Sequence, residues 1–181
     1  LNTSRGSIRE AIKILSSFGV LEIRRGDGTF VSESMSAHIF DRLLFQMLLS
    51  DTDKKKLFEL RELIELGIVN LVIANARDED LAAVEREYQL MADRIQGKDW
   101  DPGTLTKHDL AFHRSIAAAT GNDLIKQIYD FTLDLFAPSI EESHKHGRRG
   151  QNALKLHRRI LDGLLARDKY LTVEAVKESI E

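Results

Sequence analysis

Apolar residues recur at helical spacing along most of this chain, and at strand spacing in one short stretch near its start. In SRGSIREAIKILSS, residues Ser4 to Ser17, the apolar positions Ile8, Ala11, Ile12 and Leu15 lie three and four apart, on one helix face. Ser4 is a suitable N-cap, because its hydroxyl can accept from a free N–H of the first turn, and Gly19 stands where a glycine ends a helix. The period then changes to two. Val20 to Arg24 alternates, Arg25-Gly-Asp-Gly28 has the glycines of a tight turn, and Thr29 to Val31 reads as the returning strand.

Beyond a polar joint at Glu33 to Ala37, taken as a domain boundary, the period of 3.6 persists to the end. Ala37 to Ser50 carries Phe40, Leu43, Leu44 and Met47, and Lys55 to Ala76 carries Leu57, Leu60, Ile64, Ile68, Leu71 and Ile73. Asp78-Glu-Asp80 opens the next helix with charges that suit its dipole, ahead of Leu81, Val84, Tyr88, Met91 and Ile95. Lys98 to Gly103 reads as a loop. A helix through Asp109 stops at Thr120-Gly121, and Asn122 caps another from Asp123 to about Ser143. His144 and His146 are assigned to a basic loop reaching Gly150, followed by helices near Asn152 to Arg167 and Thr172 to Ile180. Long helices with short connections predict an antiparallel bundle of seven. The fold class is mainly α: residues 1–33 form a helix and two-stranded wing, residues 34–181 an all-α domain.

Composition narrows the chemistry. The 181 residues, 43% hydrophobic and 30% charged, suit a globular chain with a substantial core. No apolar run is long enough to span a membrane, and the start, Leu1-Asn-Thr-Ser-Arg5, has neither a signal-peptide core nor an initiator Met, so it reads as beginning within an element. With no cysteine, any metal must sit on nitrogen and oxygen, and a reducing cytoplasm is the expected location. Charge does not decide for nucleic acid. The net charge is −3, and residues 1–33 hold five Lys/Arg against four acids.

Two constellations carry chemistry. Ser4, Arg5, Ser7 and Arg9 crowd the start of the first helix, where hydroxyls and backbone N–H groups can hold phosphate and arginine can read guanine; Arg24 and Arg25 add charge at the wing. Solvated arginines on a generic helix and hairpin are the alternative. Asp109 and His113, one helical turn apart, form a two-ligand claw flanked by apolar Phe112, Ile116 and Ala119. His157, on a stripe of Leu156, Ile160, Leu161 and Leu164, is the natural third ligand, with His144 and His146 as competitors. An Asp–His hydrogen bond along a helix surface is the other reading of the pair.

The segment Thr3 to Val31, with Ser-Arg, Arg-Glu-Ala-Ile and Gly-Asp-Gly-Thr-Phe-Val, closely resembles the recognition helix and wing of GntR-family bacterial transcription regulators. The resemblance implies base or phosphate contacts by Arg5 and Arg9, hydroxyl contacts by Ser4 and Ser7, and a wing tip at Arg25 and Gly26 near the minor groove. It also implies that residues 1–33 are only the second half of a winged helix-turn-helix. The remainder resembles the all-helical FCD ligand-binding domain of the FadR subfamily, through Leu57-Phe-Glu-Leu-Arg-Glu-Leu-Ile-Glu65, Asp78-Glu-Asp-Leu81, Asp109-x3-His113, Thr120-Gly-Asn122 and His157-x2-Ile-Leu-Asp-Gly163.

That likeness implies a divalent ion, Zn²⁺ or Ni²⁺, on Asp109, His113 and His157. The family's fourth ligand, a histidine, falls at or next to Ser179, and no histidine follows His157. Three protein ligands can still bind, with water or a carboxylate completing the set. Arg61 is the expected partner of an effector carboxylate, against the alternative of a solvent-facing salt bridge with Glu65. The implied protein is a DNA-binding regulator, most often a repressor in this family, controlled by a small organic acid. It would act as a cytoplasmic homodimer, joined through an apolar face such as that of Phe40 to Met47, on palindromic double-stranded operators. The chain does not have the two Glu-x2-His pairs usual in di-iron oxidases, so it is not read as an enzyme. A metal-dependent helical-bundle enzyme, a metal-free regulator responsive to acyl-CoA and a purely structural helical module are the competing readings.

Overall fold

The computed structural model describes residues 3–32, 54–97, 101–145 and 149–180. Contacts divide the chain into two compact units, residues 1–52 and 53–181. The expected boundary at 33/34 and the expected helix Ala37 to Ser50 lie outside the described residues.

The first unit contains helix α1 (Arg5–Ser17) and strands β1 (Leu21–Arg24) and β2 (Gly28–Val31), paired antiparallel with Leu21 opposite Val31 and Arg24 opposite Gly28. Ser4 caps α1, its hydroxyl accepting from Ser7 N–H at 3.1 Å. Gly19 ends the helix at φ 70°, and Gly26 turns the hairpin at φ 82°, a region that glycine enters without steric cost. Arg24 lies over the Phe30 ring and pairs with Glu22 at 2.9 Å, so it is engaged within the hairpin.

Six described helices make up the second unit: α2 (Lys54–Asn75), α3 (Asp78–Gln96), α4 (Pro102–Ala118), α5 (Asp123–His144), α6 (Arg149–Leu165) and α7 (Lys169–Ile180). Helix α4 packs against α2, α3 and α5, and α7 against α6 and α2. Several boundaries differ from the sequence reading. Gly103 is helical, not loop: Pro102 opens α4, where its missing N–H costs nothing, and Asp101 caps it by accepting from Thr104 N–H at 3.0 Å. Helix α6 begins at Arg149 and α7 at Lys169, each three residues earlier than expected. Gly121 at φ 67° and Asn122, whose side-chain Oδ1 accepts from the N–H groups of Leu124 and Ile125, act as anticipated between α4 and α5.

The buried face of α2 also departs from expectation. Its core positions are Arg61, Glu65, Ile68, Val69 and Val72, with Ala76 buried just past its end, while Leu71 is exposed and Leu57, Leu60, Ile64 and Ile73 are half-buried. Two charged residues thus occupy the inward face of a helix that is apolar on more than one side. On α4, α6 and α7 the core holds Phe112, Ile116, Ile160, Leu161, Leu164, Ala175 and Val176.

The turn between α6 and α7 is tight for identifiable reasons. Arg167 takes φ 51°, and the N–H groups of Arg167 and Asp168 reach back to Leu164 O and Gly163 O at 3.1 and 2.9 Å. Its guanidinium donates to Ile73 O and Ala76 O, satisfying carbonyls at the end of α2. A Cβ on Gly163 would sit 2.9 Å from Thr172 N on α7, so only glycine allows this approach. Replacing it, Gly163→Ala, is expected to destabilise by about 1–3 kcal/mol. Gly67→Ala, where nothing lies within 4 Å, is expected to stabilise slightly. Urea melts of both variants measure this, and equal midpoints would refute the packing argument.

Candidate functional site

Asp109 and His113 project from α4 toward His157 on α6, and all three are buried. The His157 ring stacks on Phe112 at 4.6 Å, which sets its orientation. His113 Nε2 and His157 Nε2 are 3.2 Å apart, and Asp109 Oδ1 lies 3.5 and 3.6 Å from them. Ligands bonded to one tetrahedral ion at about 2.0–2.2 Å stand roughly 3.3–3.6 Å from one another, and about 3 Å in an octahedron. The triangle has the dimensions of one face of a coordination shell.

Hydrogen-bond accounting assigns the ring protons. Tyr129 donates its O–H to Glu65 Oε1 at 2.6 Å, so toward His113 Nδ1, at 3.3 Å, its oxygen can only accept. His157 Nδ1 faces Met91 Sδ at 3.4 Å, and a thioether is also only an acceptor. A proton on each Nδ1 satisfies both acceptors and leaves the Nε2 of each ring with its lone pair. Both Nε2 lone pairs and a carboxylate oxygen converge on one point, an arrangement that suits a cation, with the outer partners fixing the tautomer as in known metal sites.

The electrostatics agree. Burial lowers His113 and pushes His157 down to about 4, so both imidazoles are neutral near pH 7. Burial by itself would raise Asp109, but His157, a hydrogen bond from His144, and His113 hold it well below the usual carboxylate range. Ionised carboxylate and neutral imidazole are the forms that bind metal. The donor set fits a divalent ion.

The triangle opens into a cavity of about 400 Å³ lined by Arg61, Phe58, Phe136, Leu156, Ser139 and Ser179 among others. Arg61 is 7% exposed; its Nε donates to Glu65 at 2.7 Å and its Nη2 lies 3.4 Å from His113 Nε2. Its salt bridge with Glu65 exists, but inside the protein and not facing solvent. Ser179 lines the same cavity and donates to Val176 O at 2.7 Å. His144 needs correction. It is the last residue of α5, not part of a loop, and is 2% exposed, with Nε2 3.1 Å from Asp109 Oδ2. His146 lies outside the described residues.

In the first unit, Ser4, Arg5, Ser7 and Arg9 are exposed together on the opening turns of α1, and Arg25 and Gly26 are exposed at the hairpin turn. The first turn of α1 contains no acid. Among the described residues, Arg5, Arg9 and Arg25 pair with no carboxylate, which leaves their donors available to an anion.

Residues 56–181 match the FCD domain. The chain belongs to the FCD-domain family. It is 30% identical over 142 residues to the HTH-type transcriptional regulator LutR of Bacillus subtilis, covering 78% of this chain and 63% of that protein. It is 27% identical over 129 residues to the Uxu operon transcriptional regulator of Escherichia coli, covering 71% of this chain and 49% of the relative. The chain thus spans less than two thirds of the length of these relatives. A solved structure of Streptococcus agalactiae GntR matches with a TM-score of 0.70 at 25% identity, covering 99% of this chain and 80% of that one. These likenesses place the FCD chain in the GntR family.

Within the FCD domain the structure adds site roles that sequence reasoning did not give: Tyr129 and Thr106; Met91, expected only as an apolar core position; and His144, expected only as a competing ligand, as a partner of Asp109. The buried imidazole of His157 gives a pH dependence. Its value of about 4 in the folded chain lies below the unfolded value of about 6.5. Below pH 6.5 the unfolded chain takes a proton that the folded one refuses, so this stabilisation is lost as pH falls toward 4. The melting temperature of the chelator-treated chain should drop over that window, and less steeply in His157→Gln. Parallel curves would contradict the assignment.

Proposed function

We propose that this chain is the greater part of a one-component transcription regulator of the FadR subfamily, controlled by a small organic acid. In this reading residues 1–33 belong to a winged helix-turn-helix and residues 34–181 to the effector domain. The observation that carries it is the Asp109, His113 and His157 triangle beside Arg61, at the wall of a cavity inside an FCD domain. Relatives named as transcription regulators support it and weigh against the enzyme reading. A cytoplasmic homodimer on palindromic operator DNA accords with the family. No helix among the described residues is long and apolar enough to cross a membrane.

Asp109, His113 and His157 would hold a divalent ion, Zn²⁺ or Ni²⁺, which supplies a Lewis-acid point of attachment for a carboxylate. Charge favours this pairing. With His113 and His157 neutral, Arg61, Glu65 and Asp109 together carry one negative charge; a divalent ion makes that one positive, and a carboxylate then neutralises it. Arg61, held by Glu65 through Nε, keeps other N–H groups for the acid. The phenyl rings of Phe58 and Phe136 contribute apolar wall, and the cavity volume is that of a small-molecule site. Bound acid would shift the population between conformations that differ in affinity for DNA.

Metal and acid should bind cooperatively, each tightening the other by the same factor. Calorimetric titration of a panel of short organic acids, with and without chelator, measures this. His113→Ala and His157→Ala should abolish the coupling, while His108→Ala should not. A chain indifferent to chelator yet stabilised by an acid or by acyl-CoA would move it to the metal-free regulators.

For DNA, the protein at the length of its relatives should sediment as a dimer and lose operator affinity on Arg5→Ala or Arg9→Ala, by about 1–3 kcal/mol for a guanine contact. Arg86→Ala, on the exposed side of α3, should bind like wild type. Unchanged affinity in both α1 variants would disprove the recognition-helix assignment.

A further inference from the structure

Asp109 has two oxygens, and only one of them faces the histidine triangle. Oδ1 lies 3.5 and 3.6 Å from His113 and His157 Nε2. Oδ2 lies 3.1 Å from Nε2 of His144, which comes from the end of a different helix, α5. A carboxylate oxygen can only accept, so His144 Nε2 carries the proton between them. The other ring nitrogen, Nδ1, is 3.0 Å from Thr106 Oγ on α4, one turn before Asp109. Thr106 has one hydroxyl proton, within reach of both His144 Nδ1 and Pro102 O at 2.8 Å; given to Nδ1, it matches a ring that carries its own proton on Nε2, and both Thr106 and His144 are buried. His144 is therefore held on both sides of its ring, as the outer partners of metal ligands usually are.

Resting on the metal reading above, the geometry points to His144 as the positioning residue of this centre: it occupies Asp109 Oδ2 so that Oδ1 alone is presented to an ion. Two consequences follow for ligand count. Asp109 binds through one oxygen, since its second is engaged, and the three protein donors stay on one face of the ion. Ser179, whose hydroxyl is turned to its own helix at Val176 O, does not close the other side. The remaining positions face the cavity and are free for donor atoms of the effector. His144 itself is not a ligand, because its proton-bearing nitrogen addresses the carboxylate oxygen outside the triangle.

The test measures Ni²⁺ and Zn²⁺ affinity of the chain, by competition with a chromophoric chelator, for wild type, His144→Ala, His144→Gln and Thr106→Val. X-ray absorption spectra of the Ni²⁺-loaded proteins count imidazole ligands. His144→Ala is expected to weaken binding about 10- to 100-fold, the range for loss of such an outer partner. The imidazole count should stay at two. His144→Gln, whose amide can donate to the same oxygen, should recover most of the affinity, and Thr106→Val should show a smaller loss. If His144→Ala fails to fold, Thr106→Val reads the same quantity. Wild-type affinity in all the folded variants would overturn the inference while leaving the metal reading intact. So would an imidazole count of three that falls to two in His144→Ala, which would make His144 a ligand. A wild-type chain that takes up neither ion would overturn the metal reading, and this inference with it.

Discussion

An ionised carboxylate buried among helices is costly unless neighbours compensate it, by several kcal/mol for an isolated ion. Asp109 meets that condition on one side only, where His144, from the end of α5, donates to Oδ2 across 3.1 Å; its Oδ1 is left facing the Nε2 atoms of His113 and His157, which is where a cation would complete the compensation. A second buried carboxylate, Glu65, is compensated by Arg61 and by the Tyr129 hydroxyl, and Tyr129 joins it to His113. The two networks meet at His113. Removing any member would leave a buried polar group without its partner, which is why the interior of this domain tolerates so much polarity only as a connected set.

The apolar packing exists in a form that keeps these side chains aimed. Phe112 lies between Tyr88 and His157, with the imidazole stacked on its ring, so the core of α3, α4 and α6 also orients a donor. Gly163 lets α7 come close to α6, bringing Ser179 and Ile180 to the cavity wall. Arg167, at the turn joining those helices, ties them to the end of α2, the helix that carries Arg61 and Glu65. Long-range hydrogen bonds of this kind hold distant segments in register and limit how far the cavity can change shape without breaking contacts.

The first unit follows a different logic. Its ordered features are local: a serine cap, glycines at positive φ, and a four-residue strand pairing. Many of its large apolar side chains, Ile8, Ile14, Leu15, Phe18 and Val31 among them, are exposed. Its described residues therefore owe their arrangement to backbone geometry more than to a shared apolar core.

Sequence by itself determined the elements whose signals are local. The cap at Ser4, the stops at Gly19 and Gly121, the hairpin turn at Gly26 and the one-turn spacing of Asp109 and His113 follow from backbone sterics and helix pitch, which act within a few residues. Even His157 was legible, because its helix has a clear apolar stripe that places the imidazole inward. The buried face of α2 was not: with apolar residues on more than one side, periodicity could not show that Arg61 and Glu65 point into the core. His144 was misplaced in a loop, since helix ends depend on capping and on what the last turn packs against. Tyr129 carried no signal at all. Their roles arise where α2, α4, α5 and α6 converge, and burial there, with the need to satisfy every polar atom removed from water, is decided only by the tertiary structure.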